Sequence, residues 1–234
     1  MDLSIVFGTY NRYSLLVDCI ESIRQSVGNL HYEIIVVDGG STDGSRQYLA
    51  NQPDVVFLGE WELEGAIRAF NKGFSLTKGW ATCQLNDDCV CIGSVLSDAY
   101  HYLRANQDAV GQIAFYFDTA CNGQFRRGDI VNGFVTANLG MCQTLLGHAV
   151  GWWGQEDHTY GGDNRLSMEI WQLGYKVVAL EQFKVHHIGD HGGPRRPNLD
   201  ASNFWARWGG REIAIPPVPI SREELEGRVI IRPW

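Results

Sequence analysis

The segment EIIVVDGGSTDGS, residues 33–45, decides the architecture. Ile34 to Val37 form an unbroken β-branched run, which predicts a strand buried on both faces. Asp38-Gly39-Gly40 stops it with turn residues, and Asp43-Gly44 opens a helix over SRQYLANQ (45–52). The scheme recurs on either side. LSIVFGTY (3–10) is a strand ending in a turn, and SLLVDCIESIRQSV (14–27) has helical apolar spacing with Ser14 as its N-cap. DVVFLGE (54–60), GAIRAFNKGFSLT (65–77) and WATCQL (80–85) continue as strand, helix, strand. This alternation predicts an α/β fold with a mixed, mostly parallel central sheet covered by helices on both faces.

Ligands of such sheets bind at the carboxyl ends of the strands. Each predicted end here carries polar or glycine residues: Thr9, Tyr10, Asn11 and Arg12; Asp38 and Gly39; Glu60, Glu62 and Glu64; Asn86, Asp87 and Asp88. The second half is less regular. SVLSDAYHYLRAN (94–106) and RLSMEIWQLG (165–174) read as helices, the latter ended by Gly174. AVGQIAFYF (109–117), GFVTANLGMC (133–142) and YKVVAL (175–180) read as strands, and FKVHHIGDHGG (183–193) as a lead into a glycine-rich loop. Six of the seven prolines fall within 192–234, a proline-rich extension holding the short helix candidate DASNFWARWGG (200–210). The expected organisation is one domain over 1–191, in two halves that meet at about residue 92, followed by that extension.

The 234 residues are 44% hydrophobic and 20% charged, enough for one substantial core. A net charge of −8 argues against a nucleic-acid partner. The first apolar run is too short for a membrane span and lacks the flanks of a signal peptide, and no later run reaches spanning length. A cytoplasmic protein is expected, which agrees with six cysteines that show no zinc-site spacing and read as reduced, buried side chains.

Three groups point to chemistry. Asp87-Asp88 is an adjacent carboxylate pair between apolar residues at the end of a predicted central strand. A solvated turn is the bland alternative. Two carboxylates held close repel, and Mg²⁺ or Mn²⁺ shared with substrate phosphates relieves that repulsion. His186-His187 ends a later strand, and a neutral imidazole suits Mn²⁺ better than Mg²⁺. Asp163 opens a helix, where an acid also serves as a simple cap. Trp152 and Trp153 precede it in a glycine-flanked loop, suited either to stacking on a sugar ring or to packing in the core.

In this order SIVFGTYNR (4–12), EIIVVDGGSTDGS (33–45), GAIRAFNKG (65–73), LNDD (85–88), GWWGQEDHTYGGDNRLSMEIWQLGYKVV (151–178) and VHHIG (185–189) resemble the family-2 glycosyltransferases of the GT-A fold. The likeness runs over roughly residues 3–190. FWARWG (204–209) is similar to a segment that follows the catalytic domain in some members. The resemblance implies an inverting transfer from a nucleotide diphosphate sugar, UDP-sugar favoured, to a glycan or other hydroxyl acceptor. It implies that Thr9, Tyr10, Arg12 and Gly39 line the nucleotide pocket and that Asp38 bonds the base. Arg68 and Asn71 sit on the helix that flanks the donor; apart from the resemblance, the tryptophan loop puts Trp153 at the substrate if it stacks on a sugar. Asn86-Asp87-Asp88 stands at the family's D-x-D element, with Asp87 toward the ribose and Asp88 on the metal. Asp163 matches the catalytic base, with Glu156 and Asp157 as rivals. His187, or His186 in its place, reaches the metal or diphosphate.

Three positions depart from the family pattern: Asn86 for the first acid, Gly162 for the acid before the base, and Arg165 for a further acid. They keep two other functions open. One is a sugar-phosphate nucleotidyltransferase, although no early glycine-rich, lysine-containing loop is present; the other is a non-catalytic nucleotide-sugar or glycan-binding module. The loop FDTACNGQFRRGD (117–129) is expected to touch the acceptor.

Overall fold

The computed structural model describes residues 1–119, 121–154, 161–189 and 201–229. The first half is a strand–helix series: β1 (Leu3–Thr9), α1 (Tyr13–Ser26), β2 (Tyr32–Asp38), α2 (Ser45–Ala50), β3 (Val55–Gly59), α3 (Ala66–Ser75) and β4 (Ala81–Gln84). The second half contains β5 (Cys89–Cys91), α4 (Val95–Ala105), β6 (Val110–Thr119), β7 (Ile130–Val131), β8 (Phe134–Val135), β9 (Gly140–Gln143), α5 (Thr144–Val150), α6 (Gly162–Gln172), β10 (Lys176–His187), α7 (Ala201–Trp208) and α8 (Arg222–Gly227).

Eight strands form one sheet in the order β3-β2-β1-β4-β9-β6-β10-β5, and β7 pairs with β8 apart from it. The β3-β2-β1-β4 block is parallel. Its apolar runs are buried on both faces, with Ile5, Val6, Phe7, Ile34, Ile35 and Val36 fully enclosed. Strand β9 enters antiparallel between β4 and β6, and β5 lies antiparallel on β10. The sheet is therefore mixed and mostly parallel, as expected.

Register places the site. Thr9 pairs with Asp38 and Val6 with Gln84. The chain leaving β4 stays beside β1, with Leu85 N donating to Val6 O at 3.2 Å. Three residues past each partner, Asp87 arrives next to Thr9. On the other edge, His187 pairs with Cys89, and Ile188 N donates to Asp88 O at 2.9 Å. A three-residue strand thus carries the histidine to the carboxylate.

Several expectations change in detail. Helix α1 starts at Tyr13 with Arg12 at the N-cap and no side-chain cap, so Ser14 lies inside the first turn. The amide of Tyr13 instead donates to Asp43 Oδ2 at 2.8 Å. YKVVAL and FKVHHIG belong to one strand, β10, interrupted by an irregularity between Ala179 and Lys184. GFVTANLGMC divides into β8 and β9. The described part of the proline-rich segment packs on the domain: Phe204 and Trp208 of α7 join Val131 and Met168 in a small apolar cluster, and Leu225 of α8 enters the main core. No helix among the described residues is long and apolar enough to cross a membrane.

Candidate active site

A cleft of about 730 Å³ opens over the carboxyl ends of β1, β2 and β4. Thr9, Tyr10, Arg12, Gly39, Asn86, Asp87, Asp88, Trp153, Asp163 and His187 all line it. These ten candidate residues therefore share one cavity.

Asp87 and Asp88 are both nearly buried, at 5% and 4% exposed. Asp87 accepts from Thr9 Oγ1 at 2.8 Å and from Arg12 Nη1 at 3.0 Å. The same Nη1 lies 3.4 Å from Asp88 Oδ2, so one guanidinium offsets part of the repulsion between the two acids. Burial, reinforced by Asp88, pushes Asp87 up to about 6 against the pull of Arg12. For Asp88 burial also opposes the charge, but His187 and Arg12 outweigh it and hold the carboxyl below its ordinary range.

Asp88 Oδ1 is the atom that fits a cation. It is buried and meets no hydrogen-bond donor in good geometry among the described residues. His187 Nε2 lies 3.2 Å away, and that nitrogen is also 3.1 Å from Asn86 Nδ2. With both ring nitrogens protonated the pair is a salt bridge. With Nε2 unprotonated, a carboxylate oxygen and an imidazole nitrogen face each other as lone-pair donors, a set suited to Mn²⁺ or Mg²⁺ completed by phosphate oxygens. Cys89 Sγ completes a group of ligating atoms within 4.8 Å of one another. Burial pushes its thiol well above the ordinary range, so the oxygen and nitrogen donors remain.

Asp163 sits in the first turn of α6. Asn138 Nδ2 donates to its Oδ2 at 2.9 Å and Asn164 N to its Oδ1 at 2.8 Å. Desolvation raises its pKa against those two bonds, with Asp129 adding to the rise. Asp129 also lines the cleft and accepts from Asn138 Nδ2 and Asn164 Nδ2 at 3.3 and 3.2 Å. Asp129 entered the sequence reading only as the last residue of the loop 117–129, and Asn138 was not singled out; the β7–β8 hairpin and the approach to β9 place them. Glu156 and Asp157 lie outside the described residues.

Three residues stand back from the cleft. Asp38 is fully buried, and its oxygens accept from the amides of Gly40 and Ser41 at 3.1–3.2 Å, with Arg46 Nε at 3.3 Å. It shapes the turn that carries Gly39. Arg68 is more than half exposed and lies 3.8 Å from Glu64. Asn71 is buried; it donates to Gly154 O at 2.8 Å and accepts from Trp153 N at 3.2 Å, fastening the tryptophan loop to α3. His186 points elsewhere, its Nδ1 2.8 Å from Asp118 Oδ1. Both tryptophans are core residues: Trp152 stacks on Phe74 at 4.3 Å and Trp153 on Phe70 at 4.1 Å. Trp153 Nε1 donates to Gln84 Oε1 at 3.1 Å. A Cβ on Gly162 would meet Trp153 at 2.7 Å, which explains why the acid of the family pattern has no room there.

The layered sheet with its rim of acids over the parallel strands defines a GT-A glycosyltransferase fold. The profile of Glycosyl transferase family 2 matches residues 4–155, and the chain belongs to that family. Among curated relatives it is 31% identical over 121 residues to glycosyltransferase GlyG of Streptococcus pneumoniae, covering 50% of this chain and 39% of that protein. It is 29% identical over 92 residues to glycosyltransferase AglE of Haloferax volcanii, covering 37% and 30%. The chain thus spans well under half the length of either relative. A mannosyltransferase of Pyrobaculum calidifontis, solved with GDP-Man and Mn²⁺, superposes with a TM-score of 0.64 at 17% identity over 81% of this chain and 58% of that one. Residues 1–349 of S. aureus TarS, solved with UDP, give 0.65 at 15% identity over 80% and 60%.

Proposed function

We propose that the protein transfers a sugar from a nucleotide diphosphate sugar, with UDP-sugar favoured, to an acceptor hydroxyl with inversion at the anomeric carbon. The observation that carries this reading is one cleft holding both the Asp88–His187 donor pair and a desolvated carboxylate, Asp163. Thr9, Tyr10, Arg12 and Gly39 form the nucleotide side, and Asp87, fixed by Thr9 and Arg12, faces the ribose. Asp38 supports that side from beneath through the loop it holds. Asp88 and His187 would hold a divalent cation, Mn²⁺ or Mg²⁺. When bound, the ion supplies positive charge to the leaving diphosphate.

Asp163 accepts the proton of the acceptor hydroxyl as its oxygen attacks the anomeric carbon and the bond to the diphosphate breaks. Desolvation makes Asp163 a stronger base than an exposed aspartate. Asn138 and Asn164 orient it. The family membership, and structural neighbours bound to GDP-Man with Mn²⁺ or to UDP, support the donor class.

The deciding experiment is a panel of UDP- and GDP-sugars assayed for metal-dependent hydrolysis, with nucleotide binding followed by calorimetry. Binding should strengthen with Mn²⁺ in the native protein and lose that dependence in Asp88→Ala. Equal nucleotide affinity with and without Mn²⁺ would remove the metal from the proposal. Products formed from nucleoside triphosphate and sugar phosphate would favour a nucleotidyltransferase instead.

A further inference from the structure

His186 and His187 are successive residues of β10, so their side chains leave the sheet on opposite faces. His187 goes to Asp88 in the cleft. His186 goes to Asp118, which is fully buried at the end of β6, with Nδ1 and Oδ1 2.8 Å apart. The other oxygen, Oδ2, accepts from Gly123 N at 2.9 Å. That bond curls the chain back over the pair, and a bridge between Phe117 and Arg126 closes the turn at its base. Cys121 lies inside this turn. It is the exposed cysteine of the six; the other five are buried. The ligating atoms of Asp118, Cys121 and His186 all lie within 4.8 Å of one another.

We propose that Asp118, Cys121 and His186 bind one Zn²⁺ ion, with solvent in the fourth position. A carboxylate, an imidazole and a thiolate form a borderline-soft set that suits Zn²⁺ rather than Mg²⁺ or Mn²⁺. The cleft pair, completed by phosphate oxygens, has the opposite preference. Ligand atoms of a tetrahedral zinc site stand about 3.3–3.7 Å apart. The Asp118–His186 pair must open slightly from 2.8 Å, and Cys121, whose sulfur lies within 4.8 Å of both partners, is exposed, which permits the adjustment. Binding sends the Cys121 thiol proton, and any proton between Asp118 and His186, to solvent. One carboxylate, one thiolate and one neutral imidazole then balance the ion's charge. Zinc there ties the 118–126 turn to β10, and the chain that follows carries Arg126 and Asp129 into the cleft wall.

The test is a Co²⁺ titration of the full chain under reducing conditions, followed by the near-ultraviolet charge-transfer band that a thiolate–cobalt bond produces. The band should saturate at one equivalent, vanish on adding Zn²⁺, and persist in Asp88→Ala, which disables the cleft pair. It should be lost in Cys121→Ser, whose exposed position leaves folding intact by circular dichroism. Zn²⁺ affinity should fall by more than about 100-fold in Cys121→Ser and His186→Ala, beyond what losing an outer partner costs. No band in the native protein, or one surviving Cys121→Ser, overturns the site. A band lost in Cys89→Ala and kept in Cys121→Ser also overturns it, by moving the thiolate to the cleft.

Discussion

Asp163 holds two hydrogen bonds and still carries a raised pKa, because desolvation exceeds what Asn138 and Asn164 return. Such a carboxylate is prepared to take a proton. Asp163→Asn keeps the shape and most of the polar contacts while removing the basic lone pair, so transfer should fall by about 10²–10⁴ with donor affinity unchanged. Steady-state rates beside calorimetry check this, and near-normal turnover would exclude Asp163. In the native enzyme the rate should drop as pH falls through the raised pKa, above the usual carboxylate range. Asp87 behaves differently, since its proton is held more tightly in the folded chain, with a pKa pushed up to about 6. Its ionised form costs stability above that pH, and the cost fades as pH falls toward the unfolded value of about 4. Asp87→Asn should therefore raise the melting temperature of the ligand-free protein at pH 8, by up to about 2–3 kcal/mol of stability. The gain should shrink at pH 4.5. Melting curves at the two pH values decide it, and an equal gain at both would contradict the raised pKa.

Among the elements, the four parallel strands were legible because each is an apolar run stopped by polar or glycine residues. The rim they form, with Thr9, Arg12, Gly39 and Asp87, was legible because each predicted strand end carries polar or glycine residues; the register that sets Asp87 beside Thr9 was not. What brings His187 to Asp88 was not legible. It depends on β5, three residues long, pairing antiparallel with β10, and so short a run shows no periodicity. Asn138 escaped notice, and Asp129 was noticed only as the end of the loop 117–129, since the two-residue strands β7 and β8 that position them carry no pattern. The paired tryptophans suited either a sugar or the core; both stack on core rings, Phe70 and Phe74, and Trp153 also lines the cleft. That stacking constrains the start of α6. An added Cβ at Gly162 would lie 2.7–2.9 Å from Cβ, Cγ and Cδ2 of Trp153, and Asn71 clamps the tryptophan's backbone from the other side. Neither partner can yield cheaply. Gly162→Ala should cost about 1–3 kcal/mol by overpacking and displace Asp163, lowering kcat more than donor affinity. Urea denaturation with parallel kinetics tests this; an unperturbed variant would show that the loop relaxes.

At the scale of the molecule, the two sides of the cleft rest on different supports. The side carrying Thr9, Arg12 and Asp87, proposed to take the nucleotide, stands on the main core beneath β1, β2 and β4. The side carrying Asp129 and Asn138 stands on the β7–β8 hairpin, where Thr136 N donates to Asp129 O at 3.0 Å. The small cluster of Val131, Met168, Phe204 and Trp208 backs that hairpin, with Phe134, Trp171 and Ile213 packed on it. Trp171 Nε1 donates to Val135 O at 2.9 Å, and Asn132 Nδ2 bonds the carbonyl of Trp208. Helix α7 is thus a brace for one wall, and its removal should be felt there first. Trp208 is 3% exposed, so Trp208→Ala should cost about 3 kcal/mol through the cavity it leaves. The main core does not include Trp208, so affinity for UDP with Mn²⁺ should stay within about twofold, well under the tenfold that 1.4 kcal/mol represents. The acceptor KM, by contrast, should rise. Denaturation midpoints, calorimetry with nucleotide and acceptor kinetics separate these effects. If nucleotide affinity falls together with acceptor affinity, the two walls are one cooperative unit and α7 braces the whole cleft.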